Sequence, residues 1–180
     1  MTHSSATVLL PSLLLGMLLA SCGFSARHTL GPERLSLGIK IFANEGREPD
    51  LERRLHQQLT LAARHLVDAP LVAPSHADVT LSGRIREYHT RGGVRGKDNV
   101  LLERGVDLTI EASLHDSSGL LLAGPVALRQ NVGHTTREAG GPRAAEDRAL
   151  ANLAVGAILD LLVDLEQRRE KSQTAAPKTP

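Results

Sequence analysis

Between residues 106 and 115 the chain alternates without a fault. Val106, Leu108, Ile110, Ala112 and Leu114 interleave with Asp107, Thr109, Glu111, Ser113 and His115. Side chains of an extended strand point to opposite faces in turn, so this run belongs in a sheet with one apolar and one polar face. An apolar sheet face needs a cover, and two stretches at helical spacing can supply it. In residues 51–66, Leu51, Leu55, Leu59, Ala62, Ala63 and Leu66 form one stripe, with Glu52, Arg53, Gln57 and Arg64 off it. Pro49-Asp50 suits the start of this helix, and Pro70 prevents its continuation. Over residues 143–169 a second stripe holds Leu150, Leu153, Ala157, Ile158, Leu161 and Leu165, with Asn152, Asp160, Asp164 and Arg168 on the outer side.

Other strands are expected on either side of the central run. Residues 35–42 alternate, with Leu35, Leu37, Ile39 and Ile41 inward, and Asn44-Glu45-Gly46-Arg47 form a turn. A short edge strand is expected at 71–73. Residues 77–85 place Val79, Leu81 and Ile85 on one face, and Thr80, Ser82, Arg84 and Arg86 on the other. The stretch 91–97 is Gly-rich and basic and reads as a hairpin tip, after which strand character resumes at Val100. Asp116-Ser117-Ser118-Gly119 is a turn, 120–130 a strand broken near Gly124-Pro125, and 134–143 a Gly-rich loop. The expected fold is α+β, a two-layer sandwich with both helices packed on one face of a mixed four- to five-stranded sheet. A single domain at 35–169 follows a tether at 22–34, and the polar tail 170–180 is expected to be disordered. The helix-free face is polar and could meet a partner.

Cys22 is the only cysteine, so it has no disulfide partner in its own chain and cannot build a metal cage alone. Its role must come from its context. The apolar run 8–20 ends in Leu19-Ala20-Ser21-Cys22-Gly23. This run is too short for a bilayer-spanning helix, which needs about 20 apolar residues, and Pro11 interrupts it. Residues 1–21 therefore read as a secretory signal peptide, although Met1 to Thr7 contain no Lys or Arg. Leu-Ala-Ser-Cys resembles the lipobox of bacterial lipoproteins, in which Cys22 becomes the diacylglyceryl-modified and N-acylated first residue. Several acyl chains anchor stably where one is marginal. The absence of Asp after the cysteine resembles the sorting pattern for the outer membrane, with the domain facing the periplasm.

Several short motifs carry a further resemblance. The lipobox is followed by Cys22-Gly23-Phe24, then Phe42-Ala43-Asn44, Pro49-Asp50-Leu51-Glu52, Ala77-Asp78-Val79-Thr80-Leu81-Ser82-Gly83, and Glu146-Asp147 opening the last helix. Together these resemble the LPS-assembly lipoprotein family, LptE, over essentially the whole mature chain. The resemblance implies an outer-membrane lipoprotein seated in the lumen of the LptD β-barrel, serving as plug and assembly factor. It also implies lipopolysaccharide as a ligand. Arg84, Arg86, Arg91, Arg95 and Lys97 are the candidates for the lipid A phosphates, since guanidinium forks pair with phosphate. The same five residues also read as a solvated strand face and loop tip.

Composition narrows the alternatives. With 21 basic and 20 acidic residues, all after Cys22, the domain has no global field to attract nucleic acid. Phe24, Phe42 and Tyr88 are the only aromatics, which argues against stacking on bases or sugars. The eight histidines show no H-E-x-x-H spacing, and His56 and His65 read as rim residues. Gly92-Gly93-x-x-Gly96-Lys97 resembles a phosphate loop but places Asp98 where Ser or Thr is required. No G-x-S-x-G surrounds Ser117-Ser118, and Asp160 and Asp164 read as solubilising carboxylates. No enzyme activity, cofactor or metal is expected. A second reading remains open: a periplasm-facing lipoprotein that regulates or scaffolds another envelope machine, of the penicillin-binding-protein activator or secretion-complex type.

Overall fold

A computed structural model describes residues 27–31, 33–93, 95, 97–98, 102–135 and 140–175. The signal segment 1–21, Cys22, tether residues 23–26 and 32, and the tail beyond Ala175 lie outside the described residues, as does Val100. The elements run β1 (Leu37–Ile39), β2 (Ala43–Asn44), α1 (Leu51–Leu66), β3 (Val79–Arg91), β4 (Glu103–Asp116), β5 (Leu121–Thr135) and α2 (Gly141–Ala175), with a 3-10 turn at Pro74–His76. The sheet is five-stranded and mixed, in the order β1-β3-β4-β5, and β2 shares the β3 edge with β1. β1 and β2 run parallel to β3, while β3, β4 and β5 are successive antiparallel neighbours. This is the α+β arrangement expected from the sequence.

The alternation in β4 sets the layers. Val106, Leu108, Ile110, Ala112 and Leu114 are buried, and α2 packs across β4 and β5 on that side. At 35 residues, α2 is about 52 Å long, enough to follow the long strands from end to end. α1 lies beside it, and Leu51, Leu55 and Leu59 are fully enclosed. Each such leucine contributes about 1.5–3 kcal/mol relative to an exposed one. The two helices run side by side in the same direction. Arg54 near the start of α1 bonds Glu146 and Asp147 near the start of α2, and Val67 just past α1 shares an apolar pocket with Ile158 and Leu162.

The first strand departs from the expected alternation. Ile41 is 64% exposed while Phe42 is 2% exposed, so the inward phase shifts by one residue between β1 and β2. The reason lies on β3. Gly83 leaves a slot that the Phe42 ring fills, and a Cβ built on Gly83 would lie 2.5 Å from Phe42 Cε2 and 2.1 Å from the Glu111 carbonyl oxygen. Asn44, expected in the turn, closes β2. Its side chain accepts from Gly46 N at 3.0 Å and donates to Glu48 O and Glu52 Oε2 at 2.9 and 2.8 Å, fastening the bend that leads into α1. The edge strand expected at 71–73 reduces to a single bridge between Leu37 and Leu71.

Both ends of the domain extend beyond the expected limits. His28 bridges Val67, and Leu30 is buried at 2% exposure, so the later part of the expected tether belongs to the fold. Arg169 on α2 donates to the Leu30 carbonyl. The helix itself continues through Glu170 to Ala175 instead of ending in a disordered tail. There Ser172 and Thr174 donate to the carbonyls of Arg168 and Glu170 at 2.9 and 2.8 Å. β5 runs on to Thr135, so His134 lies in the strand and not in the following loop.

Asp164 does more than solubilise the helix. Gly124 adopts a positive φ of 89° at the irregularity in β5, which is cheap only for glycine, and its N–H needs a partner. Asp164 Oδ2 accepts it at 2.6 Å, and Arg168 closes the loop by donating to Gly124 O at 2.8 Å and to Asp164 at 2.9 Å. The Gly124 N–H, ahead of Arg168, holds the Asp164 carboxyl below its ordinary pKa. Asp160 remains exposed, as expected.

Candidate functional site: the helix-free face and the basic hairpin

Because α1 and α2 both lie on one side, the opposite sheet face carries the alternate residues of every strand. On β3 these include Thr80, Ser82 and Arg84, on β4 Asp107, Thr109, Glu111, Ser113 and His115, and on β5 Ala127, Arg129 and Asn131. A bulge between Ile85 and Glu87 brings Arg86 to the same side. The face is polar and its charges are cross-paired. Arg84 donates to both oxygens of Glu111 at 2.9 and 3.2 Å and stands 3.4 Å from Glu45. Arg86 lies 3.7 Å from Glu45 and 3.6 Å from Glu111. Two guanidiniums and two carboxylates thus form a closed, nearly neutral square.

A second pair lies further along. Arg129 donates to Asp107 through Nε at 2.8 Å and also through its terminal nitrogen. The guanidinium covers Asp107, which is 4% exposed although it points away from the core. The Arg129 hydrogen bond holds the Asp107 carboxyl below its ordinary value, with Arg91 and His89 adding to the effect.

Of the five basic residues expected at the site, the structure separates two from the rest. Arg84 and Arg86 sit mid-sheet in the ionic square. Arg91 and Arg95 meet at the tip of the β3–β4 hairpin, where they line a cleft of about 330 Å³ with Thr90, Gly92, Gly93 and Arg104. Lys97 is exposed in the turn and does not line the cleft. Arg104 was not expected there. It reads as the unremarkable start of β4, and only the closed hairpin brings it back against Arg91. Arg129 was missed for the same reason, since the β4–β5 register that sets it beside Asp107 cannot be read from either strand alone. Three guanidiniums converging on one cleft suit a multiply charged anion such as a phosphate ester.

At the other end of the same face lies a cleft of about 530 Å³ lined by Lys40, Ser75, Thr80, Ser82, His115 and Asp116, among others. Ser82 Oγ is 3.2 Å from His115 Nδ1, which superficially suggests a nucleophile and base. Asp116 is committed to its turn, where Oδ1 accepts from Ser118 N, Ser118 Oγ and Leu120 N at 2.8, 2.6 and 2.9 Å. The pair therefore lacks the orienting carboxylate of a nucleophilic triad among the described residues.

On the helix side, a buried ionic cluster sets the position of α2. Arg54 donates to Glu146 Oε2 at 2.7 Å and to Asp147 Oδ1 at 2.6 Å, and Tyr88 OH donates to Glu146 Oε1 at 2.6 Å. Burial and the neighbouring Glu146 carboxylate push the Tyr88 hydroxyl well above its ordinary value. Burial opposes the Arg54 charge, but its bonds to Glu146 and Asp147 outweigh that and raise its pKa. These residues tie β3, α1 and α2 together directly behind the basic hairpin.

The fold defines a class of two-layer α+β domain that other bacterial proteins share. A Xanthomonas campestris protein of the DUF330 family is similar over 82% of this chain and 95% of its own, with a TM-score of 0.54 at 12% identity. Bacterial lipoproteins are among the similar solved structures. A minor lipoprotein from Acinetobacter baumannii is 19% identical over 73% of this chain and 92% of its own, with a TM-score of 0.46. The PelC dodecamer from Paraburkholderia phytofirmans covers the same shares at 19% identity and a TM-score of 0.45. No protein-family profile and no curated protein sequence matches the chain. No helix among the described residues is long and apolar enough to cross a membrane.

Proposed function

We propose that this chain is an outer-membrane lipoprotein, anchored through Cys22, that works by contact and not by catalysis, as plug and assembly partner of an LptD-type β-barrel in lipopolysaccharide transport. The observation that carries this reading is the helix-free sheet face. It is broad, polar and internally charge-paired, with Arg84, Arg86, Glu45 and Glu111 neutralising one another. The lumen of a transmembrane barrel is polar, and a domain seated in one with this face to its wall needs such a surface. The resemblance of the lipobox and strand motifs to the LPS-assembly lipoproteins supports the same reading. Within it, the Arg91, Arg95 and Arg104 cleft is the place for a lipid A phosphate.

The test is a mild-detergent pull-down of the full-length protein from native membranes, with mass spectrometry of what stays bound. A large outer-membrane barrel of the LPS-transport type is expected in stoichiometric amount, and its level should fall when this protein is removed. Recovery of peptidoglycan synthases or a secretion pore alone would reject the barrel partner in favour of another envelope machine.

A further inference from the structure

The two ends of the sheet differ in chemistry. The distal end carries the basic hairpin. The other end gathers the β4–β5 turn, the C-terminal part of α2 and the point where the N-terminal segment joins the fold. There Leu120 and Leu121 are 65% and 38% exposed. Leu121 and Leu122 share a groove of about 570 Å³ with Leu165, Arg168, Arg169 and Lys171. An apolar floor with a cationic rim is the arrangement that binds a membrane interface, where apolar groups enter the acyl boundary and basic groups pair with anionic headgroups. Glu166 and Glu170 belong to the same helix end but do not line the groove.

The entry point of the tether says what covers this surface. Arg169 lines the groove and also holds the Leu30 carbonyl. Cys22 stands eight residues before Leu30, a reach of at most about 29 Å for extended chain. A lipid on Cys22 therefore keeps this end, and not the hairpin, beside the bilayer. The hairpin lies at the other end of the sheet, separated from the tether end by the length of β3, the twelve steps from Val79 to Arg91, about 40 Å.

We propose that the tether end of the domain docks onto an anionic phospholipid surface, with Leu120 and Leu121 entering the interface and Lys171 facing headgroup phosphates, while Arg168 stays paired with Asp164 and Arg169 holds the Leu30 carbonyl. This fixes which end of the domain lies at the interface, the basic hairpin being at the other end of the sheet. The inference rests on the lipid anchor at Cys22, not on the identity of the barrel partner.

The chain has no tryptophan, so Leu120→Trp provides a single fluorescent reporter in the full-length protein. The protein is reconstituted in phosphatidylethanolamine–phosphatidylglycerol vesicles with brominated acyl chains, and the mass of the intact protein reads the state of Cys22 in the same sample. Emission from position 120 should shift to shorter wavelength and be quenched, and both effects should weaken when phosphatidylcholine replaces phosphatidylglycerol or when Lys171→Glu is added. A reporter at Leu102→Trp, at the distal end, should show neither effect. A lipidated protein whose position 120 is as unquenched as position 102 overturns the docking and leaves the anchor standing. An unmodified Cys22 overturns both. Quenching indifferent to phosphatidylglycerol and to Lys171→Glu overturns the anionic recognition, as does a crosslink from position 120 to a protein in native membranes without quenching in vesicles.

Discussion

Replacing Arg54 by methionine tests whether the buried cluster sets the position of α2. Arg54 is 16% exposed and Glu146 9% exposed as side chains, whereas Asp147 is 54% exposed. Asp147 regains water when Arg54 is removed, so its share of the loss is about 0–1 kcal/mol. Glu146 does not. It keeps one neutral donor, Tyr88, and otherwise becomes a buried charge without its counter-ion, for which about 2–3 kcal/mol is reasonable given its residual exposure. The expected cost of Arg54→Met is therefore about 3 kcal/mol, and at about 2–4 °C per kcal/mol for a domain of this size the melting temperature should drop by roughly 6–12 °C. Pairing it with Glu146→Leu removes the stranded charge and should recover part of the loss, so that in a double-mutant cycle the double mutant costs less than the sum of the two singles. Urea unfolding followed by circular dichroism measures both values. A single mutant within about 0.5 kcal/mol of the parent, the range of ordinary surface changes, would mean that the cluster does not hold α2.

Further predictions follow from other positions. Gly83→Ala should destabilise the domain by about 1–3 kcal/mol through overpacking, and Phe42→Leu should rescue it only in part, because the Glu111 carbonyl also blocks the new methyl; denaturant midpoints decide this. Asp107 and Asp164 have folded pKa values below the ordinary carboxylate value. The stability they contribute is thus present above about pH 4 and lost as pH falls through their folded values. Thermal scans should show a loss below about pH 4 that is smaller in Asp164→Asn, and an equal loss in that variant would exclude Asp164 as a source. Arg91→Glu with Arg104→Glu should leave the fold intact by circular dichroism while weakening binding of lipopolysaccharide by the purified protein; undiminished binding would remove the cleft as the lipid A phosphate site.

Much of the architecture was legible because its signals are local. The β4 alternation and the α1 stripe each depend on residues a few positions apart, and both recur in the structure, with Leu66 at the end of the stripe only partly buried. What escaped depends on partners far along the chain. The phase shift between Ile41 and Phe42 is set by Gly83, the burial of Leu30 by Leu81, Leu114, Ile158 and Leu162, and the role of Asp164 by the backbone of Gly124. The candidate site divides in the same way. Arg84 and Arg86 were visible as a polar strand face, but not their neutralisation by Glu45, which arrives from the end of β2. Arg91 and Arg95 were visible as a basic tip, whereas Arg104 joins them only through the hairpin register.

The central claim is that the helix-free sheet face meets a barrel partner while the helical face does not. Photocrosslinkers placed at Thr109 on that face and at Val155, 41% exposed on α2, test it in native membranes. The account predicts adducts with an outer-membrane β-barrel of the LPS-transport type from Thr109 and none from Val155. Adducts from Val155 with Thr109 silent would contradict it.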